Sequence, residues 1–132
     1  MSNRGIEIPL KYRMRESILN ENAPAIFFLH GYGSNMEDLF SLSQFFSDEW
    51  AIISFQASES IGFGGYAWAE LDFNNLRQLP KPEQKVDSIN NIHNSISALA
   101  SKFNFDKNQI YILGFSQGSD LALSTGFKFP NF

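Results

Sequence analysis

Gln109-Ile110-Tyr111-Ile112-Leu113-Gly114-Phe115-Ser116-Gln117-Gly118 is the stretch on which the reading of the fold turns. Gln109 to Leu113 is an apolar run of strand length, of the kind covered on both faces in a parallel sheet. Beyond Gly118 the pattern changes to a helix carrying Leu121, Ala122 and Leu123. The segment therefore reads as strand, tight turn, helix. Upstream, Val86, Ile89, Ile92, Ile96, Leu99 and Phe103 recur at helical spacing for about six turns, with Pro82 at a plausible first helical position. This predicts the longest helix of the chain. Further back, Trp50 to Phe55 has the character of a second buried strand and leads into a Gly-rich stretch, Ser58 to Tyr66, read as an irregular loop. The run Ala25-Ile26-Phe27-Phe28-Leu29-His30 is the first central strand. It stops at Gly31-Tyr32-Gly33-Ser34-Asn35, where Ser34 and Glu37 form a capping box ahead of Leu39, Phe40, Leu42 and Phe45. Ile6 to Arg15 is an extended opening that Pro9 confines to an edge or breaks in two. Strands alternating with helices in this order specify the α/β class, a mostly parallel sheet with right-handed crossovers and helices on both faces.

Composition narrows the function classes. The 132 residues are 43% hydrophobic and 18% charged with a formal net charge of -4, as expected of one ordinary domain spanning 1–132. The absence of cysteine excludes disulfides, zinc thiolate sites and thiol redox chemistry, and two histidines are too few for a histidine-only metal site. No metal and no cofactor are expected. Without a Lys/Arg block there is no electrostatic footprint for nucleic acid or an anionic membrane, which leaves a small or uncharged partner. Ala25 to Leu29 is too short to span a bilayer and Met1 to Leu10 lacks an apolar signal core, so the expected location is the cytoplasm. The 14 phenylalanines indicate a bulky core.

Two loops should carry the chemistry. Gly114-Phe115-Ser116-Gln117-Gly118 is a G-x-S-x-G between a predicted strand and a predicted helix, the context of a nucleophile elbow. Its glycines allow a turn too tight for neighbouring side chains, and the turn pushes the Ser116 hydroxyl out at the carboxyl end of the sheet. The alternative is a plain connection with Ser116 as an N-cap. His30 to Asn35 follows another parallel strand, so both loops open at the same end. Acyl transfer needs two donors aimed where a carbonyl oxygen becomes negative, and the backbone amides of Gln117 and Tyr32 are the candidates for this oxyanion hole. The same loop also serves as a cap through Ser34 and Asn35.

HGYGSN followed by Asp38-Leu39, Tyr66-Ala67-Trp68 in the middle loop, and GFSQG together resemble the phospholipase/carboxylesterase family of α/β-hydrolases, related to acyl-protein thioesterases. The resemblance runs from about Pro24 to Phe132. It implies a serine nucleophile at Ser116, an aspartate and a histidine completing a triad, no metal, and hydrolysis of a small-molecule carboxylic ester or thioester, often of acyl chains or lysophospholipids. It also places the middle loop beside the active site, with Phe63, Tyr66 and Trp68 lining an acyl pocket; core packing of the same aromatics is the competing reading.

The chain departs from the family pattern after Ser116. The expected order is Ser, then Asp or Glu, then His, yet the residues following Ser116 hold no histidine and a single acid, Asp120, on the nucleophile's own helix. His30 belongs to the oxyanion loop and is expected to support it. His93 sits among polar residues of the long helix and is expected to be solvated or packed. A fold ending just after the nucleophile helix should also leave one edge of Gln109 to Leu113 unpaired, and an apolar open edge invites association. The expectation is the N-terminal portion of a longer esterase, or a shortened relative that forms a homodimer through that edge. The alternative class is a catalytically silent hydrolase-like module binding an acyl ligand or a protein. Gly62-Phe63-Gly64-Gly65-Tyr66-Ala67 also satisfies G-x-G-x-x-A, but Ala57 to Ile61 intervene after the strand and no apolar helical stripe follows, which argues against a dinucleotide site. Leu79 to Pro82, with Lys81 and Lys85, reads as a connector without catalytic content.

Overall fold

The computed structural model describes residues 7–71 and 82–131; the connector residues Leu79 to Lys81 lie outside them. Its centre is strand β2 (Ala25–Leu29), in which all five residues are buried. A strand buried on both faces has no polar side to show, which is why the sequence there is continuously apolar. β2 pairs in parallel with β3 (Ala51–Phe55) on one side and with β6 (Ile110–Gly114) on the other. β1 (Tyr12–Arg15) joins β3 antiparallel, giving the order β1-β3-β2-β6. Of the extended opening, Ile6 lies outside the described residues, and from Glu7 to Arg15 only the four residues of β1 form a strand, after Pro9, which supplies no ladder donor. At the opposite margin β6 is outermost among the described strands.

Alternation along the strands sorts the core into two layers. Phe27, Leu29, Ile53 and Phe55 face helix α2 (Pro82–Phe103) and helix α3 (Gln117–Lys128), packing with Ile92, Ile96, Leu99 and Leu121. Ile26, Phe28 and Ile52 point the other way, against Leu39, Phe40, Leu42, Phe46 and Trp50. Those residues come from the short helix α1 (Met36–Phe40), the 3-10 turn Ser41–Phe45 and the segment after it. Phe27 stacks on Phe55 with ring centroids 5.4 Å apart. Burying one such ring is worth about 1.5–3 kcal/mol, and truncating it to alanine costs about 3–5 kcal/mol once the cavity is included. Arg15, at the end of β1, fastens the second layer by donating to the carbonyls of Ser43, Phe46, Ser47 and Trp50 at 2.5–3.2 Å.

Two local details differ from the sequence reading. The cap of α1 is Asn35, whose Oδ1 accepts from the Glu37 amide at 2.9 Å, while the Ser34 hydroxyl donates to Asp38 at 2.7 Å. The capping box is therefore not formed; the helix starts one residue later and Glu37 is drawn outward to pair with Arg13. The stretch read as an irregular loop is a hairpin of β4 (Glu59–Gly62) and β5 (Gly65–Ala67). Phe63 and Gly64, at its tip, both have positive φ, 55° and 75°, as a two-residue hairpin turn of the primed type requires. Phenylalanine is an unusual occupant of that position, so the turn left little trace in the sequence.

Candidate functional site

The turn between β6 and α3 is held in a conformation that L-residues rarely adopt. Ser116 has φ 55° and ψ -119°, a combination that costs on the order of 1–3 kcal/mol and persists only where the surroundings impose it. Those surroundings are tight. A Cβ added to Gly114 would lie 2.3 Å from the Gly118 carbonyl oxygen, and one added to Gly118 would lie 2.1 Å from that of Leu29. The spacing of the two glycines around Ser116 thus follows from the first turn of α3 being pressed onto the ends of both β6 and β2. The Gly118 and Ser119 amides donate to the Phe115 and Ser116 carbonyls, each at 2.9 Å, and close the turn. The Ser116 side chain makes no capping hydrogen bond. It is exposed, and it borders a cleft instead.

That cleft has a volume of about 750 Å³ and is lined by Gly31 to Asn35, Glu37, Asp38, Phe115 and Ser116. The parallel pairing of β2 with β6 explains the convergence, since both loops leave the same end of the sheet. They nearly touch: a Cβ on Gly31 would stand 3.4 Å from that of Ser116. Tyr32 lies on the cleft wall. Gln117 opens α3, so its amide has no acceptor within the helix and sits at the positive end of the helix dipole. The hairpin braces the facing loop. The Gly33 amide donates to the Tyr66 carbonyl at 2.9 Å and the Tyr66 amide donates to the Ser34 carbonyl at 2.8 Å. Chemically, the site offers a hydroxyl on a rigid tip, backbone amides beside it, and an acidic rim formed by Glu37 and Asp38.

A family model described as phospholipase/carboxylesterase matches residues 15–131. The chain belongs to that family. Among solved structures, esterase PE8 is 26% identical with a TM-score of 0.81, covering 92% of this chain and 59% of the esterase. The Bacillus cereus carboxylesterase is 21% identical with a TM-score of 0.76, covering 92% of this chain and 55% of its own. A carboxylesterase from Mesorhizobium loti is 17% identical with a TM-score of 0.78, covering 94% of this chain and 57% of its own. These likenesses support the α/β-hydrolase fold, and the chain spans a little over half the length of each of these relatives. No curated protein matches it in sequence.

Within this phospholipase/carboxylesterase fold the remaining candidate residues take distinct places. His30 is wholly buried, with Nδ1 2.8 Å from the Gly31 carbonyl and Nε2 accepting the Ala57 amide at 3.0 Å. A ring with one nitrogen accepting and the other donating is the neutral tautomer. Burial pushes its pKa below the ordinary value, against the opposing pull of the Gly31 carbonyl and the Asp38 charge. Both nitrogens are thereby occupied, Nδ1 within its own loop and Nε2 in joining the end of β2 to the end of β3. His93 stacks on Phe129, ring centroids 3.7 Å apart, and burial together with the Lys128 charge lowers its pKa. Phe129 follows the last residue of α3, so His93 is separated from Ser116 by the twelve residues of that helix, a length of about 18 Å. Asp120 forms an exposed ion pair with Lys85 of α2 at 3.1 Å.

The three aromatics of the middle loop are not gathered into one wall. Phe63 projects fully exposed from the hairpin tip. Tyr66 lines a smaller cavity of about 280 Å³ with Leu10, Gln56 and Ser58. Trp68 is 1% exposed and packs in the core, its indole donating to the His30 carbonyl at 2.8 Å. Its placement matches core packing rather than direct contact with a ligand in the main cleft. Sequence reasoning overlooked Ser88, whose hydroxyl donates to the Trp68 carbonyl at 2.5 Å. The available signal was a serine on the apolar stripe of α2, where Ser88 and Ser95 are both buried. Among the described residues no helix is long and apolar enough to cross a membrane, and no cluster of three metal-ligating side chains occurs.

Proposed function

We propose that Ser116 is the nucleophile of a serine hydrolase acting on carboxylic esters or thioesters. The observation that carries this reading is the strained Ser116 backbone, wedged between Gly114 and Gly118 and presenting an uncommitted side chain to the cleft. In the first half-reaction the Ser116 oxygen bonds to the acyl carbon, its proton passes to a general base, and the Tyr32 and Gln117 amides donate to the carbonyl oxygen as it becomes negative. Collapse of the tetrahedral intermediate breaks the bond to the alcohol or thiol, which leaves with that proton. Water, giving a proton to the same base, then attacks the acyl-enzyme; the Ser116 oxygen–acyl bond breaks, the carboxylic acid is released and the proton returns to the Ser116 hydroxyl. His30 is committed to its buried bonds and His93 is a helix length away, so in this reading the base and its acidic partner come from outside these 132 residues. In this reading Phe63 and Tyr66, which do not line the cleft, meet an acyl group only where it extends beyond the cleft, while Trp68 acts from the core. The outer edge of β6 is the surface through which two copies would associate.

The test is release of p-nitrophenol from a short-chain ester by the chain and by Ser116→Ala, across a series of added imidazole concentrations. Imidazole supplies the proton acceptor, and the variant corrects for its direct attack on the ester. A rate that exceeds the variant's and rises with imidazole is expected. Identical rates at every concentration would replace this reading with the silent, ligand-binding one.

A further inference from the structure

We propose that the side chain of Gln117 is a positioning residue, locking the turn that carries Ser116 to the loop that carries Tyr32 through the buried indole of Trp68. One carboxamide spans two consecutive residues: Oε1 accepts the Trp68 amide at 3.0 Å and Nε2 donates to the Ala69 carbonyl at 2.8 Å. Trp68 in turn has every polar atom engaged. Its amide binds Gln117, its carbonyl accepts from Ser88 of α2, and its indole N–H donates to the His30 carbonyl. Residue 30 leads directly into the Gly31 to Asn35 wall of the cleft, and its ring binds the amide at the end of β3. Trp68, through its backbone and its indole together, thus joins the start of α3, the second turn of α2 and the end of β2, and the His30 ring extends the link to the end of β3.

The chemistry selects glutamine. Asparagine is one methylene too short to reach both backbone groups, ionised glutamate keeps the acceptor but loses the donor, and methionine has neither. Both bonds are part-buried and end on backbone groups of buried residues, so each loss removes the protein partner of one such group, which favours reopening of the segment over a small adjustment. The distance between the Tyr32 loop and Ser116 is then no longer fixed. Oxyanion donors act only when they are held at the position that the developing charge will occupy. This catalytic consequence rests on the function proposed for Ser116; the mechanical coupling does not.

Hydrogen exchange by NMR on the whole chain separates the two. In Gln117→Met the Trp68 indole N–H and the Gly33 amide should exchange at least tenfold faster than in the parent, and in Gln117→Glu by a smaller factor, while the Ile92 and Ile96 amides of α2 keep their rates. An unchanged Trp68 indole would overturn the proposal. So would acceleration of the α2 amides by the same factor, or failure of both variants to fold, since either marks a general contribution to stability. Where Ser116-dependent turnover is measured, Gln117→Met should lower kcat about tenfold with KM little changed. Absence of turnover that responds to Ser116 would remove the functional reading and leave the exchange result to decide the coupling.

Discussion

Gly118→Ala adds one methyl group where the fold has least room for it. The new Cβ would lie 2.1 Å from the Leu29 carbonyl oxygen and 2.6 Å from that of His30. Both obstacles are backbone of the central strand or its immediate continuation, so neither can swing aside as a side chain would. The first turn of α3 must retreat by about an ångström to restore ordinary contact in an interior packed this densely. That movement strains the Gly118 to Phe115 hydrogen bond and the two bonds of the Gln117 carboxamide. Overpacking costs about 1–3 kcal/mol and each weakened hydrogen bond about 1 kcal/mol. The better helix propensity of alanine returns less than about 1 kcal/mol at a helix end. The net loss is about 3 kcal/mol, a large part of the ~5–15 kcal/mol that holds a typical domain folded. In a chain of this length it lowers the thermal midpoint by about 10 °C. Circular dichroism melts and urea titrations measure it, with Gly126→Ala as the matched control. Gly126 lies in the same helix with nothing within 4 Å of an added Cβ, and the control should gain about 0.5–1 kcal/mol. A Gly118→Ala loss below about 1 kcal/mol, or an equal loss in the control, would refute the steric argument.

Three further outcomes follow from the same geometry. Ser116→Gly should raise stability by about 1 kcal/mol in urea titration, because glycine adopts φ 55° without penalty, whereas Ser116→Ala should not. His30 is neutral in the fold with its pKa below the ordinary 6.5; the unfolded chain gains a proton there as pH falls through that value and the folded chain does not. Its contribution is therefore complete above pH 6.5 and declines toward acid by up to about 1.4 kcal/mol per pH unit until the folded imidazole itself titrates. Urea midpoints between pH 7.5 and pH 5 should show this decline, and most of it should survive His93→Gln, since that ring is much less buried. Lys85→Ala removes an exposed ion pair and should change stability by less than about 0.5 kcal/mol, with the small difference vanishing in high salt.

The sheet was legible because its signal is one of composition. A strand covered on both faces is apolar almost throughout, and Ala25–Leu29 and Ala51–Phe55, each buried at all five positions, carry that pattern with Ser54 as its one polar residue. The G-x-S-x-G turn was legible for a related reason: its glycines answer to close backbone contacts, which leave a residue type behind. What escaped depends on tertiary partners. The cap at Asn35 rather than Ser34 was decided by Asp38 capturing the Ser34 hydroxyl and Arg13 capturing Glu37. The hairpin was hidden because Phe63 holds a positive φ that the sequence does not advertise. Trp68 looked equally suited to a pocket or to the core, and only the convergence of His30, Ser88 and Gln117 upon it separates the two.

Ala25 of β2 pairs on one side with Ala51 and on the other with Ile110. Drawing β6 into place encloses about three times as much chain as drawing in β3, an added closure cost of about 1 kcal/mol that no local contact offsets beforehand. Pairings between sequence-distant strands slow the search for the native topology. The cleft is walled by loops from the two strands joined across the longer span, so its formation carries the larger closure cost. Substitutions that loosen the β2 to β6 contact should therefore slow refolding more than those in β1, with the refolding rate in stopped-flow fluorescence as the measurement, and the Ser116 turn at the end of β6 shares that dependence.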